Sequence, residues 1–300
     1  MNRISKWISA AAIGAVALAA CGGGDDVSTG ADHHHDGIVP VTATSTAPPA
    51  TTLDITALDY AFTVNTQNVA TGNVEIQLTN KGTEAHQVHI ARAPGGMTVD
   101  DFVHAYHEQG ERSAFDAVTW VGGVSGVEPG ATGRATANLT PGDYFLVCFL
   151  PSTDGQNHLM KGMVGSLHVS DAPPASSTTA PDAPPPTETI ALSDFHVEIP
   201  AGFTGNGTVA VRNDGQANHE LILVRLKDGK TLADAAAHKA DDPNPPPFTY
   251  AGGVGTIAPG TTVTADLNLP PGNYIATCFV SGDSGQPHAN MGMVATFSVA

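Results

Sequence analysis

The sequence predicts an all-β protein made of two copies of one domain, and three observations carry that prediction. Glycine and proline are abundant, 33 and 22 among 300 residues, which marks frequent turns between short strands. Apolar residues alternate with polar ones over short windows, as in Val74, Ile76 and Leu78, the period of a half-buried strand. One long pattern occurs twice. Pro141-Gly142-Asp143-Tyr144-Phe145-Leu146-Val147-Cys148-Phe149 leads to His158 and Met163, and Pro271-Gly272-Asn273-Tyr274-Ile275-Ala276-Thr277-Cys278-Phe279 leads to His288 and Met293.

Composition narrows the function. With 41% apolar and 14% charged residues, the chain is neither disordered nor fibrous. A net charge of −17 argues against nucleic acid as a partner, because phosphate binding needs basic patches. The same charge keeps an exported protein soluble and would steer a basic partner. At the N-terminus Arg3 and Lys6 precede an apolar run from Ile8 to Ala20, too short to span a bilayer comfortably and fitting a signal-peptide core. It ends in Leu18-Ala19-Ala20-Cys21, which resembles the lipobox of bacterial lipoproteins. That resemblance implies cleavage before Cys21, lipidation of its thiol, and a membrane reached through the acyl chains.

The elements follow in order. Residues 1–20 read as the signal peptide and 21–50 as a Thr/Ala/Pro-rich tether, in which His33, His34 and His35 form a short tract open to loose metal binding or to simple solvation. Residues 51–170 read as the first domain. Leu53, Ile55 and Ala57, then Tyr60, Phe62 and Val64, predict one or two strands before the Val74 strand. The turn Asn80-Lys81-Gly82-Thr83-Glu84-Ala85 delivers His86 to the start of another strand. Thr98 with Asp101 predicts a capped helix whose face is Val99, Phe102, Val103 and Tyr106. Trp120-Val121-Gly122-Gly123-Val124 and the Pro129-Gly130 turn precede the cysteine strand. Residues 171–187, dense in Pro, Ala, Ser and Thr, read as a semi-rigid linker of about 3.1 Å per residue where polyproline-like. Residues 188–300 read as the second domain. There Asn213-Asp214-Gly215-Gln216-Ala217-Asn218 delivers His219, Thr231 with Asp234 opens a helix, and Tyr250-Ala251-Gly252-Gly253-Val254 returns. Two beads on a spacer is the expected shape.

Cysteine usage sharpens the chemistry. With Cys21 assigned to lipid, Cys148 and Cys278 remain, one per repeat, so neither repeat can hold an internal disulfide. In an exported protein a thiol left unpaired at the same place in both repeats asks for another reason. Thiolate, imidazole and thioether together are the donors that select copper over harder cations. A buried cysteine or methionine can also be a small hydrophobe in a core.

A histidine after Asn-x-Gly-x-x-x, a distant Tyr-x-x-x-Cys strand, a further histidine and a Gly-Met resemble the cupredoxin, or blue copper, family over nearly all of both units. The resemblance implies two tandem Greek-key β-sandwiches, each with a short helical insertion and each with one copper at one end. It implies the ligands His86, Cys148, His158 and Met163 in the first unit and His219, Cys278, His288 and Met293 in the second. Two departures stand out: the loop spacing is Cys-x9-His where the family has only a few residues, and Gln87 or Glu220 follows the strand histidine where the family often has asparagine.

Other histidines rank lower. His89 alternates to the face opposite His86, and its counterpart Ile222 fits a structural role; His104 and His107 share a helix face; His168, His196 and His238 carry no pattern. Multicopper oxidases flank the cysteine with histidines, whereas here its neighbours are Val147 and Phe149, or Thr277 and Phe279, so a coupled catalytic centre is not expected. The leading expectation is one-electron transfer at a membrane surface with a redox or copper-exchange protein as partner. Copper capture and delivery, and a metal-free binding module, stay open beside it.

Overall fold

A computed structural model describes residues 51–66, 69–171 and 185–300. The signal peptide, Cys21, the His33–His35 tract and most of the linker lie outside the described residues.

The first unit runs β1 (Thr51–Leu58), β2 (Ala61–Val64), β3 (Val69–Ala70), β4 (Gly72–Asn80), β5 (His86–Arg92), α1 (Val99–Gln109), α2 (Glu111–Asp116), β6 (Thr119–Val127), β7 (Thr132–Leu139), β8 (Gly142–Val147) and β9 (Val164–Ser170). The second repeats it as β10 (Glu188–Ser193), β11 (His196–Glu198), β12 (Asn206–Asn213), β13 (His219–Leu226), α3 (Leu232–Ala237), β14 (Phe248–Ile257), β15 (Thr262–Asn268), β16 (Gly272–Thr277) and β17 (Val294–Val299). A 3-10 turn precedes the last strand of each unit, at His158–Lys161 and His288–Met291.

Each unit is a two-layer sandwich. In the first, β7-β4-β1-β2 faces β6-β5-β8-β9-β3; in the second, β11-β10-β12-β15 faces β14-β13-β16-β17. The alternation read from sequence is what buries one face: Leu53, Ile55, Val74, Ile76 and Leu78 from one layer meet Val88, Ile90 and Leu146 from the other, all at most 1% exposed. Truncating one such residue, Ile76→Ala, removes about 2–5 kcal/mol. The helices start where expected. Thr98 and Asp101, and Thr231 and Asp234, form reciprocal capping boxes. Phe102 of α1 packs on Trp120 and Phe145, whereas α3 buries no residue at all.

The two units dock edge to edge. β6 pairs antiparallel with β14, and β7 with β15, so the two sandwiches share one eight-stranded and one nine-stranded sheet. The register pairs Val124 with Val254 and Ala135 with Ala265, residues that occupy equivalent positions in the two repeats. A pseudo-two-fold axis therefore passes between the units, the isologous arrangement of a symmetric dimer realised within one chain. The Gly-Gly pairs serve this seam. Gly123 and Gly253 adopt φ of 127° and 125°, and a Cβ on either would lie 2.0 Å from the carbonyl oxygen of Val88 or Leu221. They pair in register with His89 and Ile222, and the register shifts of β6 and β14 lie to either side of them.

Candidate metal centres

At one end of each sandwich the remote histidine meets the loop cysteine and histidine. His86, Cys148 and His158 bring their donor atoms within 4.8 Å of one another, as do His219, Cys278 and His288. All six are at most 1% exposed.

The Asn-x-Gly turn builds the first corner. Asn80 Nδ2 donates to the carbonyls of Glu84 and Val127, both at 2.8 Å, and its Oδ1 accepts from Gly82 N at 2.8 Å. Asn213 repeats the staple with Ala217, Ile257 and Gly215. Glycine is required two residues on, because a Cβ at Gly82 would lie 2.4 Å from Asp59 Oδ1 and 2.6 Å from His86 Nε2. Gly215 stands in the same relation to Asp194 and His219.

The long loop returns its histidine rather than losing it. An isolated bridge between Pro151 and Asn157, with Ser152 N donating to Gln156 O at 2.7 Å, closes the extra residues into a small hairpin. His158 N then donates to Leu150 O and Leu159 N to Cys148 O, so the imidazole comes back beside the thiol. Ser281 and Pro287 bridge likewise in the second unit. The Cys-x9-His spacing is thus a short loop with an excursion inserted. The methionines sit against the same frame. Met163 and Met293 are fully buried, and each backbone N–H donates to the carbonyl of His158 or His288.

The first triangle measures 3.1 Å between the two Nδ1 atoms and 3.4 Å from Cys148 Sγ to His158 Nδ1. In the second the values are 3.1 Å between the Nδ1 atoms, and 3.5 and 4.0 Å from Cys278 Sγ to His288 and His219. Nitrogen and sulfur donors bound to one first-row ion at about 2.0–2.3 Å sit roughly 3.3–3.7 Å apart.

Carboxylates fix which nitrogen faces inward. Asp59 Oδ1 lies 3.1 Å from His86 Nε2 and also accepts from Thr83 N, with Glu84 N at 3.3 Å. Against the penalty of burial, the hydrogen bonds from Thr83, His86 and Glu84 hold Asp59 down to about 2. Asp59 is therefore an acceptor, and His86 Nε2 carries the proton. Glu84 Oε2 lies 2.8 Å from His158 Nε2 while its Oε1 accepts from Ser152 Oγ, which assigns the same tautomer to His158. Asp194 does this for His219 at 3.1 Å. Burial lowers the pKa of His86, His158 and His219, and takes His288 to about 4, so the rings are neutral at pH 7. In the first centre two bare Nδ1 lone pairs then point at each other across 3.1 Å with no proton between them. Burial also pushes the Cys148 thiol up to about 12 and the Cys278 thiol well above its ordinary value. This donor set fits copper: two neutral imidazoles, a buried thiol and a buried methionine.

Asp59, Asp194 and Glu84 escaped the sequence reading. The signal was present as Leu58-Asp59-Tyr60 and Ser193-Asp194-Phe195, an Asp-aromatic turn at the same place in both repeats. Of the remaining histidines, His104 and His107 are exposed and His168 pairs with Asp143 at the surface, while His89 is buried at the seam. The two triads are the candidate metal groups among the described residues.

No protein-family model matches the chain, and neither does any curated protein. Among solved structures, the reduced auracyanin of Roseiflexus castenholzii is 19% identical, covering 41% of this chain and 98% of that one, with a TM-score of 0.30. Auracyanin A of Chloroflexus aurantiacus, a "blue" copper protein, is 20% identical over 40% and 98%, with a TM-score of 0.29. A multicopper oxidase is 13% identical over 83% and 88%, with a TM-score of 0.24. Each unit is thus a two-layer β-sandwich with a His-Cys-His group at one end, present twice in one chain.

Proposed function

We propose that the chain is a copper-binding protein that carries one electron at each of two mononuclear centres. His86, Cys148, His158 and Met163 would hold one ion and His219, Cys278, His288 and Met293 the other. The observation that carries this reading is the convergence of two buried imidazoles and a buried thiol, their donor atoms within 4.8 Å of one another, at one end of each sandwich. Bound copper would supply the Cu(I)/Cu(II) couple.

The residues do the rest. Cys148 sulfur receives backbone N–H groups from Gln87 and Leu150, and Cys278 sulfur from Glu220 and Val280, which offset thiolate charge within the core. The stapled turns and the closed hairpins hold the donors on sheet ends, so little rearrangement accompanies a change of charge. No catalytic residue forms part of the proposal. The Leu18-Ala19-Ala20-Cys21 segment, which resembles a lipobox, supports export and an anchor through Cys21, with a redox protein as partner; among the described residues no helix is long and apolar enough to cross a membrane.

Copper titration of a soluble form lacking residues 1–21 tests this. The expected result is two equivalents bound and reversible one-electron reduction of each. Rapid loss of Cu(I) to a chelator, without a stable Cu(II) form, would favour capture and delivery instead. Absence of stoichiometric copper, with no thermal stabilisation by it, would leave a metal-free module.

A further inference from the structure

The seam between the two sandwiches contains an ionisable pair that the fold does not need. His89 of β5 is 1% exposed and Glu220 of β13 is 3% exposed, and their Nε2 and Oε2 atoms lie 3.5 Å apart across the domain boundary. Their repeat counterparts are Ile222 and Gln87, both buried. Gln87 satisfies its oxygen within its own unit, accepting from Ser125 Oγ at 3.1 Å. The seam thus holds its own control: at one of its two symmetry-related positions it sets a histidine against a carboxyl, and the other carries an apolar residue and a neutral amide. Burying ionisable groups is unfavourable unless they are well partnered. Here the His89 Nε2 approach is close without being an aligned hydrogen bond.

The pair lies between the two metal centres and touches the continuation of each cysteine. Next to Cys148, the Phe149 ring meets the His89 ring edge-on, centroids 5.1 Å apart. His89 Nδ1 accepts from Thr256 N of the second unit at 2.9 Å, so its proton sits on Nε2, toward Glu220. Glu220 Oε1 accepts from Phe279 N at 2.8 Å, the residue after Cys278. Glu220 N donates to Cys278 Sγ at 3.5 Å. The line from Cys148 through Phe149, His89 and Glu220 to Cys278 contains one ring contact, one polar approach and one hydrogen bond, with no solvent-exposed step among His89, Glu220 and the two sulfurs. The mirror-related line lacks both groups, because Ile222 and Gln87 stand where His89 and Glu220 do.

We propose that the His89–Glu220 contact is an internal electron route joining the two centres, so that the protein works as a coupled pair rather than as two independent carriers. The inference rests on the copper reading above. With copper bound at both centres, one electron would pass from the first to the second, oxidising one ion and reducing the other, with no atom or proton transferred.

The test uses the full copper-loaded chain. After a pulse of a small one-electron reductant, redistribution between the centres is followed by absorption, with Cys148→Ser and Cys278→Ser chains supplying the spectrum of each centre alone. A first-order phase independent of protein concentration is expected. It falls several-fold in His89→Ile and in Glu220→Gln, each of which installs the residue that the other repeat already carries, while both copper spectra persist. An unchanged phase in His89→Ile would overturn the route, and absence of the phase in the parent, with both centres reducible, would overturn the coupling. Failure to bind copper would instead sink the reading beneath it. In the copper-free protein, NMR should place the slowly exchanging His89 proton on Nε2; a proton on Nδ1 would contradict the geometry.

Discussion

The two centres share one donor triangle and differ in what covers it. In the first, Tyr60, Glu84, Ser152 and Lys161 form a polar cap: Glu84 accepts from His158 and Ser152, and Tyr60 OH meets both Ser152 Oγ and Lys161 Nζ. At the equivalent positions the second centre has Phe195, Ala217, Gly282 and Met291, with the Phe195 ring edge-on to His288 at 5.3 Å. Both imidazoles of the first centre thus back onto carboxylates, but only one in the second does. A carboxylate on Nε2 makes the imidazole a stronger donor and favours the higher charge on a bound ion, whereas an apolar cover favours the lower charge. The first centre should have the lower reduction potential, which points electrons along the seam from first to second. Duplication kept the donors and let the covers diverge.

The largest effect tests what the centres have in common. Asn80→Ala strips partners from Gly82 N and from the carbonyls of Glu84 and Val127, and should destabilise the copper-free protein by about 3 kcal/mol in denaturant unfolding. Asn213→Ala should match it. Unequal losses would mean that the staples are not equivalent.

The next tests what separates them. Glu84→Ala should raise the potential of the first centre by about 60 mV, one tenfold change for a one-electron couple, and leave the second in place. Ala217→Glu should lower the second. Voltammetry that shows the two moving together would break the comparison.

The smallest effect lies where the units touch unequally. Glu111 of α2 accepts from Ser281 N and Oγ in the second unit's loop, both at 2.9 Å, whereas in the reverse approach Asp241 lies beside Gly155. Burial raises the Glu111 pKa, so the folded state holds its proton more tightly than the unfolded one. The contribution of Glu111 therefore falls as pH climbs from the ordinary carboxyl range through the raised value. Glu111→Gln should increase the thermal midpoint at pH 8 and change it little at pH 4; equal shifts at both would reject the assignment.

Much of this was legible in the sequence because duplication marks what the fold requires. Cys148 with His158 and Cys278 with His288 stood out by recurrence, and alternation at Val74, Ile76 and Leu78 gave the buried face. What escaped depends on edges and on second contacts. Alternation says which face of a strand is buried but not which neighbour its edge will pair with, so the joining of β6 to β14 could not be read from it. Asp59 reaches His86 from a turn 27 positions earlier, and no periodicity links the two. The His89–Glu220 contact joins residues that are each unremarkable alone.

The central claim is that thiol and imidazoles in each sandwich hold a single copper ion. The most direct measurement is the thiolate-to-Cu(II) absorption band of the copper-loaded chain, compared with Cys148→Ser, Cys278→Ser and the double substitution. The account predicts an intense visible band, carried in part by each cysteine and abolished when both are replaced. A spectrum left unchanged by the double substitution would contradict it.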